Sequence, residues 1–293
     1  MLQPKGAAMT FQDLTRLAAL VFISVTLIVI GDTCGKLLGQ RGVDPAFIAF
    51  SRFFIGALVI LPISGIRLHE IKGLLNWRII LRGALIAGGI LSILTALKTE
   101  PIANVFGAFF IGPVVAYVLA IFLLGERPTL GRSLLLALGF GGVMLVVRPG
   151  FDMSPGIGFA LLAGTFYGCF LVATRVVANE ARPRLLLLSQ LVVGSILLAP
   201  LGASIPLPEG SAALYLLILG SALGSASGNY LLVVVNRRAE ASLIAPLIYT
   251  QLISATAVGL WVFGDAPDPV AMLGLILILL SGTGSLWLRW RSA

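Results

Sequence analysis

Apolar residues in this chain come in long runs, not in the alternating or one-faced patterns of soluble strands and helices. A helix that crosses a bilayer needs ~20 mostly apolar residues. Ten runs approach that length. Five lie in the first half: Leu17–Leu38, Ala46–Ile63, Ile79–Leu97, Ile102–Leu124 and Leu130–Val147. Five follow in the second: Gly156–Val177, Leu185–Leu201, Ala212–Val235, Ala241–Phe263 and Val270–Leu288. Connections are short and carry helix breakers, as in Arg148-Pro149-Gly150, Pro206-Leu207-Pro208 and Ala266-Pro267-Asp268-Pro269. The expected fold is an all-α integral membrane protein whose working parts lie within the helical bundle.

Composition supports the pattern. The chain is 58% hydrophobic and 11% charged, too little polar side chain to cover a water-soluble body of 293 residues. The net charge of +8 sits in connections and lacks the basic stripe with interleaved aromatics that nucleic acid requires. The segment from Met1 to Arg16 lacks the basic, apolar and small-residue order of a signal peptide, so the first run reads as a retained helix. Cys34 and Cys169 have no metal-binding spacing, and His69 stands alone beside Glu70. No catalytic set, metal cluster or phosphate-binding loop is legible, so no enzyme activity, cofactor or metal is expected.

Ten spans place both termini on one side. Of the 20 Lys and Arg residues, fifteen then fall on that side, Arg78, Arg82, Arg237 and Arg238 among them. Four fall opposite, Lys36, Arg41, Lys98 and Arg148, and Arg52 lies within a span. Positive charge favours the cytoplasmic side, so both termini are expected in the cytoplasm.

The two halves repeat each other. Ser51-Arg52, Gly56 and Pro62 match Ser189-Gln190, Gly194 and Pro200 at an offset of 138. Gly83, Ser92 and Thr99 match Gly220, Asn229 and Asn236 at 137. Gly125-Glu126 matches Gly264-Asp265 at 139, as Lys36 matches Arg175 and Phe110 matches Tyr249. Two five-helix repeats are expected, residues 1–149 and 150–293. Five is odd, so the second must enter the membrane from the opposite side. Inverted repeats suit alternating access to a site between two halves.

The stretch Ala96–Pro149 adds a family resemblance. Pro113 lies thirteen residues before Glu126 of Leu124-Gly125-Glu126-Arg127, and a span with Gly139, Gly141 and Gly142 follows. This resembles the EamA-like branch of the drug/metabolite transporter superfamily. The second half departs from the pattern, with Leu252 for the proline and Asp265 for the glutamate. The resemblance implies two inverted five-helix repeats around a solute cavity in a bacterial inner membrane. It points to a secondary exporter of small metabolites, aromatic and other neutral amino acids first. Multidrug and nucleotide-sugar transport are the alternatives within the superfamily. A membrane-embedded enzyme and a passive channel are the competing classes outside it.

Polar residues within spans are the site candidates, because hydrocarbon offers them no partner. Ser221, Ser225, Asn229 and Asn236 share one face of the eighth span, beside Gly220, Gly224 and Gly228. Gly88, Ser92, Thr95 and Thr99 form the corresponding stripe of the third. Either these stripes line a wet cavity or they glue helices together. The substrate-binding candidates are Ser92, Thr95, Phe106, Phe110, Tyr167, Asn229, Tyr230, Tyr249 and Gln251, with Phe109 clustered beside Phe106 and Phe110. Pro246 is expected to loosen the helix before Tyr249. Asp32 and Lys36, four apart on one face, are spaced to pair, but snorkelling of Lys36 to the headgroups is the expected reading. Arg52 is a gate or carboxylate-binding candidate, and Glu126 a structural or gating pair beside Arg127.

In a chain lacking Cys34 and Cys169, single cysteines at Ser204 and Ala181 should react with a membrane-impermeant thiol reagent from opposite sides, Ser204 from outside. Labelling of both from one side of intact cells would sink the ten-span arrangement.

Overall fold

The computed structural model describes residues 11–66, 70, 76–147, 154–178, 180–206, 211–239, 241–264 and 268–291. These form helices α1 (Phe11–Gln40), α2 (Pro45–Ser64), α3 (Trp77–Thr99), α4 (Ile102–Phe109), α5 (Ile111–Leu124) and α6 (Leu130–Val147). Then come α7 (Pro155–Val177), α8 (Pro183–Gly202), α9 (Ala212–Arg238), α10 (Ala241–Ile248), α11 (Gln251–Val258) and α12 (Pro269–Arg291). A π-helical turn, Gly259–Phe263, ends α11. No strand occurs among the described residues. The expected repeat boundary at 149/150, His69 and Asp265 lie outside them.

All ten apolar runs are helical, two of them in pieces. Seven stretches among the described residues are long and apolar enough to cross a bilayer. The apolar helical stretches Leu130–Leu145, Gln251–Phe263 and Met272–Gly284 are shorter. Local chemistry sets several helix starts. Asp44 accepts from the Ala46 N–H at 2.7 Å with Pro45 at the first turn, and Ser154 accepts from Ile157 at 3.2 Å ahead of Pro155.

Apolar side chains lie on both sides of the bundle surface: the core is mostly apolar, and large apolar side chains such as Phe122 (79% exposed) and Trp261 (84%) also face outward. Asp32, Arg52, Arg82, Asn229 and Gln251 are buried within it. An apolar exterior with its charged and amide groups inside suits a hydrocarbon surround.

The most extensive helix contacts join one half of the chain to the other: α1 with α9, α3 with α7, α6 with α12 and α2 with α8. The repeat relation exchanges α1–α9 with α7–α3 and maps each of the other two pairs onto itself. α1 and α9 approach closely, since a Cβ on Gly224 would lie 2.8 Å from the Leu27 carbonyl oxygen and 2.9 Å from the Gly31 nitrogen. Ser24 reinforces the contact by donating to the Gly228 carbonyl at 2.7 Å. The glycine stripe of α9 is therefore a packing surface.

Lys36 corrects an expectation. It neither pairs with Asp32 nor reaches only for headgroups. Its Nζ donates to the carbonyls of Glu100 (2.6 Å) and Leu97 (3.3 Å), at the C-terminal end of α3. Arg175, its repeat mate, donates to the Asn236 carbonyl near the end of α9 at 2.7 Å. Each half thus contains a cation that caps one of its own helices. The last carbonyls of a helix lack internal partners and carry the negative end of its dipole, which explains the choice.

Neighbouring glycines of α6 test the packing. A Cβ at Gly142 would lie 2.6 Å from the Gly274 carbonyl oxygen of α12, whereas one at Gly141 meets nothing within 4 Å. Gly142→Ala should cost about 1–3 kcal/mol by overpacking, and Gly141→Ala should be neutral or mildly stabilising. Thermal denaturation in detergent reads both, and equal melting temperatures would contradict this interface.

Candidate functional site

Two helix breaks shape the centre of the bundle. The fourth apolar run stops being one helix at Phe110, whose N–H is shared between the Phe106 and Gly107 carbonyls, each at 3.1 Å. Pro113 explains the position: it has no N–H for the Phe109 carbonyl and its ring crowds that group. The ninth run breaks at Tyr249–Thr250, where the Thr250 N–H and hydroxyl both donate to the Leu247 carbonyl, at 3.1 and 2.7 Å. Phe110 and Tyr249 occupy equivalent break positions, and their rings meet edge to face at 5.4 Å. The breaks leave Phe109 as the last residue of α4 and Gln251 as the first of α11.

Beside the breaks lies a buried ion pair. Arg52 of α2 donates from Nη1 to Asp32 Oδ1 of α1 at 2.6 Å. Nη2 donates to the Gly31 carbonyl (3.0 Å) and to Ser221 Oγ of α9 (2.8 Å), and Nε also reaches that hydroxyl (3.1 Å). Both charged side chains are at most 3% exposed. Removing one partner of such a pair typically costs about 3–5 kcal/mol, because the other charge stays buried alone. The pair knits α1, α2 and α9 at one crossing.

A cavity of about 30 Å³ opens between these features. Its lining includes Asp32, Arg52, Phe109, Tyr167, Ser225, Asn229 and Gln251, with Ile86, Gly89, Ile90 and Ile93 along α3. Phe109 and Tyr167 form an aromatic wall, ring centroids 4.9 Å apart. Three buried polar atoms of the lining residues have no hydrogen-bond partner: Tyr167 Oη, Asn229 Oδ1 and Gln251 Oε1. The Asn229 amide nitrogen is already engaged with the Ser225 carbonyl at 2.9 Å. The space holds about two water molecules.

Of the expected binding residues, Tyr167, Asn229 and Gln251 line the cavity. Ser92 and Thr95 do not; Thr95 bonds back to the Leu91 carbonyl, and Gly88 on their stripe packs against Phe166 of α7. The α3 stripe is packing surface, and its apolar neighbours face the cavity instead. Phe106 supports Phe109 from behind, ring centroids 6.1 Å apart. Phe110 and Tyr249 join the two halves, and Tyr249 lies over Gly139 of α6. Tyr230 is half-buried at the edge of the core. Glu126 is half-buried just past α5, its N–H on the Ala120 carbonyl at 3.2 Å.

The charge pattern counts Arg82 with the cations on the side of the termini, yet it is fully buried where α3 meets α7 and α8. Its place five residues into α3 conceals this, because a basic residue near a span end reads as a topology signal.

Known proteins share this architecture. The chain is 26% identical over 256 residues to the S-adenosylmethionine uptake transporter of Rickettsia prowazekii (strain Madrid E), covering 85% of each protein. It is 29% identical over 211 residues to the riboflavin transporter of Rhizobium johnstonii (strain DSM 114642 / LMG 32736 / 3841), covering 69% of this chain and 68% of that protein. One solved crystal structure superposes with a TM-score of 0.74 at 18% identity, over 94% of this chain and 98% of the other, and shares the fold. The EamA-like transporter family matches twice, over residues 15–148 and 154–286, one match for each half. The chain is thus a multi-pass membrane protein that belongs to the EamA-like transporter family.

Proposed function

We propose that this secondary transporter carries a small metabolite with a planar aromatic or heteroaromatic body and a hydrogen-bonding edge, through the cavity between its halves. All ten apolar segments cross the bacterial cell membrane in this reading, residues 1–149 and 150–293 form the inverted repeats, and both termini are cytoplasmic. The observation that carries it is the set of unpartnered polar atoms, Tyr167 Oη, Asn229 Oδ1 and Gln251 Oε1, beside the Phe109–Tyr167 wall. Buried polar groups are normally paired, and leaving one unpaired costs about 1–3 kcal/mol. A solute that supplies the missing donors recovers that energy, and its ring stacks on the aromatic wall.

S-adenosylmethionine and riboflavin, the solutes for which the two relatives are named, both combine a heteroaromatic ring with polar edges. The Rickettsia relative is named for uptake, and inward transport is the direction proposed in place of the export expected from sequence. Aromatic amino acids are the second reading, favoured by the Asp32–Arg52 pair in the lining, which presents both signs of charge to a zwitterion.

Proteoliposomes containing the purified chain should take up labelled S-adenosylmethionine or riboflavin saturably, with competition by excess unlabelled solute. Saturable flux of phenylalanine alone would favour the amino-acid reading, and flux that never saturates would indicate a channel.

Asn229→Ala and Gln251→Ala should each reduce solute affinity ~3- to 10-fold, the worth of one neutral hydrogen bond. Leu279→Ala, at a 45% exposed position on the outer surface, is the control and should transport normally. If both polar variants match wild type in transport, or fail only because they unfold, the cavity is not the binding site.

A further inference from the structure

Arg82 begins the α3 face that Ile86, Ile90 and Ile93 continue along the cavity wall. Its Nε donates to Thr174 Oγ1 of α7 at 2.8 Å, and Nη1 donates to the Leu186 carbonyl of α8 at 2.9 Å. The guanidinium lies over the Phe170 ring, 4.8 Å from its centroid. Nη2 is buried and has no partner. Among the described residues no carboxylate lies within ion-pair distance of Arg82.

The contrast with Arg52 matters. Both arginines fill a crossing of three helices, and the repeat relation matches the two sets, α1–α2–α9 with α7–α8–α3. Arg52 has Asp32 as its counter-ion. Arg82 has only a hydroxyl, a carbonyl and a ring. A buried cation without a counter-ion is expensive, and helix packing alone is better served by an apolar side chain. Guanidinium is also the side chain best shaped to hold a carboxylate or phosphate.

The route from the cavity is short. Tyr167 lines the cavity, Phe170 stacks on Tyr167 with centroids 6.1 Å apart, and Phe170 covers Arg82. We propose that Arg82 is an oxyanion-binding station on the translocation path, reached when Phe170 moves aside, and that it selects solutes carrying a carboxylate or phosphate. This rests on the transport reading above and narrows it: the solute is an aromatic body with an oxyanionic end. S-adenosylmethionine fits that description through its carboxylate, whereas riboflavin has no such group.

The test uses matched probes on the purified full-length chain in lipid nanodiscs, with binding read by thermal shift. The pairs are S-adenosylmethionine and its decarboxylated form, flavin mononucleotide and riboflavin, and benzoate and benzamide. Wild type should prefer the oxyanionic member of at least one pair by tenfold or more, and the responding pair separates carboxylate from phosphate. In Arg82→Gln that preference should fall to within about twofold, while Arg82→Lys, which keeps the charge, should retain part of it. Equal binding within every pair by wild type would overturn the proposal, as would an unchanged preference in Arg82→Gln. If Arg82→Gln does not fold, the wild-type pairs and Arg82→Lys decide by the same ratios. Absence of transport of every probe in proteoliposomes would defeat the transport reading. The benzoate-to-benzamide ratio would still decide the role of Arg82, because it needs binding alone.

Discussion

Inside a bilayer a polar group has no water to fall back on, and this constraint organises the molecule. Each buried donor or acceptor must find a partner within the protein or remain unsatisfied at a cost. Lys36 and Arg175 meet the demand on both sides at once: each cation finds acceptors, and each frayed helix end finds a donor. Arg52 meets it through Asp32, Ser221 and the Gly31 carbonyl. Buried atoms without a partner include Arg82 Nη2, Gln190 Oε1, Tyr249 Oη and Thr256 Oγ1, and three more that share one place. Tyr167 Oη, Asn229 Oδ1 and Gln251 Oε1 belong to residues that line one cavity.

The same constraint explains how the halves are joined. Packing alone would let two bundles slide, but Arg52, held by Asp32 and the Gly31 carbonyl of the first half, also donates to Ser221 of the second. The closest contacts are nevertheless made by small residues, as between Gly31 and Gly224, where backbones touch directly. The helix breaks at Phe110 and Tyr249 lie beside the cavity, where Phe109 and Gln251 line it.

The fold was legible because hydrophobic runs and glycine or proline punctuation are local signals. The repeat was legible because paired positions survive at near-constant offsets, and Phe110 and Tyr249, matched by number, meet ring to ring. Residues that line the cavity were legible only in part. Tyr167, Asn229 and Gln251 stand out as polar tips in apolar helices, and they do line the cavity. Ser92 and Thr95 stand out equally, yet Thr95 bonds its own helix. A small hydroxyl can satisfy itself by bonding back to the preceding turn, so its presence in a span says little about a cavity. Lys36 reads by sequence as a cation that snorkels to the headgroups, with a pair to Asp32 as the alternative, but the partners that compete belong to other helices: Arg52 for the acid, the end of α3 for the lysine.

Arg82 shows the limit of reading charges one at a time. Five residues into a span, it counts toward membrane orientation like any flanking cation, and nothing local separates it from Arg78 on the same helix. The difference appears only in three dimensions. Arg78 is exposed beside Glu180, whereas Arg82 is enclosed by α7 and α8 with Phe170 over its face. The two halves therefore resemble each other in fold but not in charge. The Arg52 crossing carries its own counter-ion and is electrically closed. The Arg82 crossing carries a net positive charge and lies one helical turn from the cavity wall at Ile86. On the proposed path an anionic group would meet one crossing that holds its own counter-ion and one that does not, a difference set by side chains rather than by the fold.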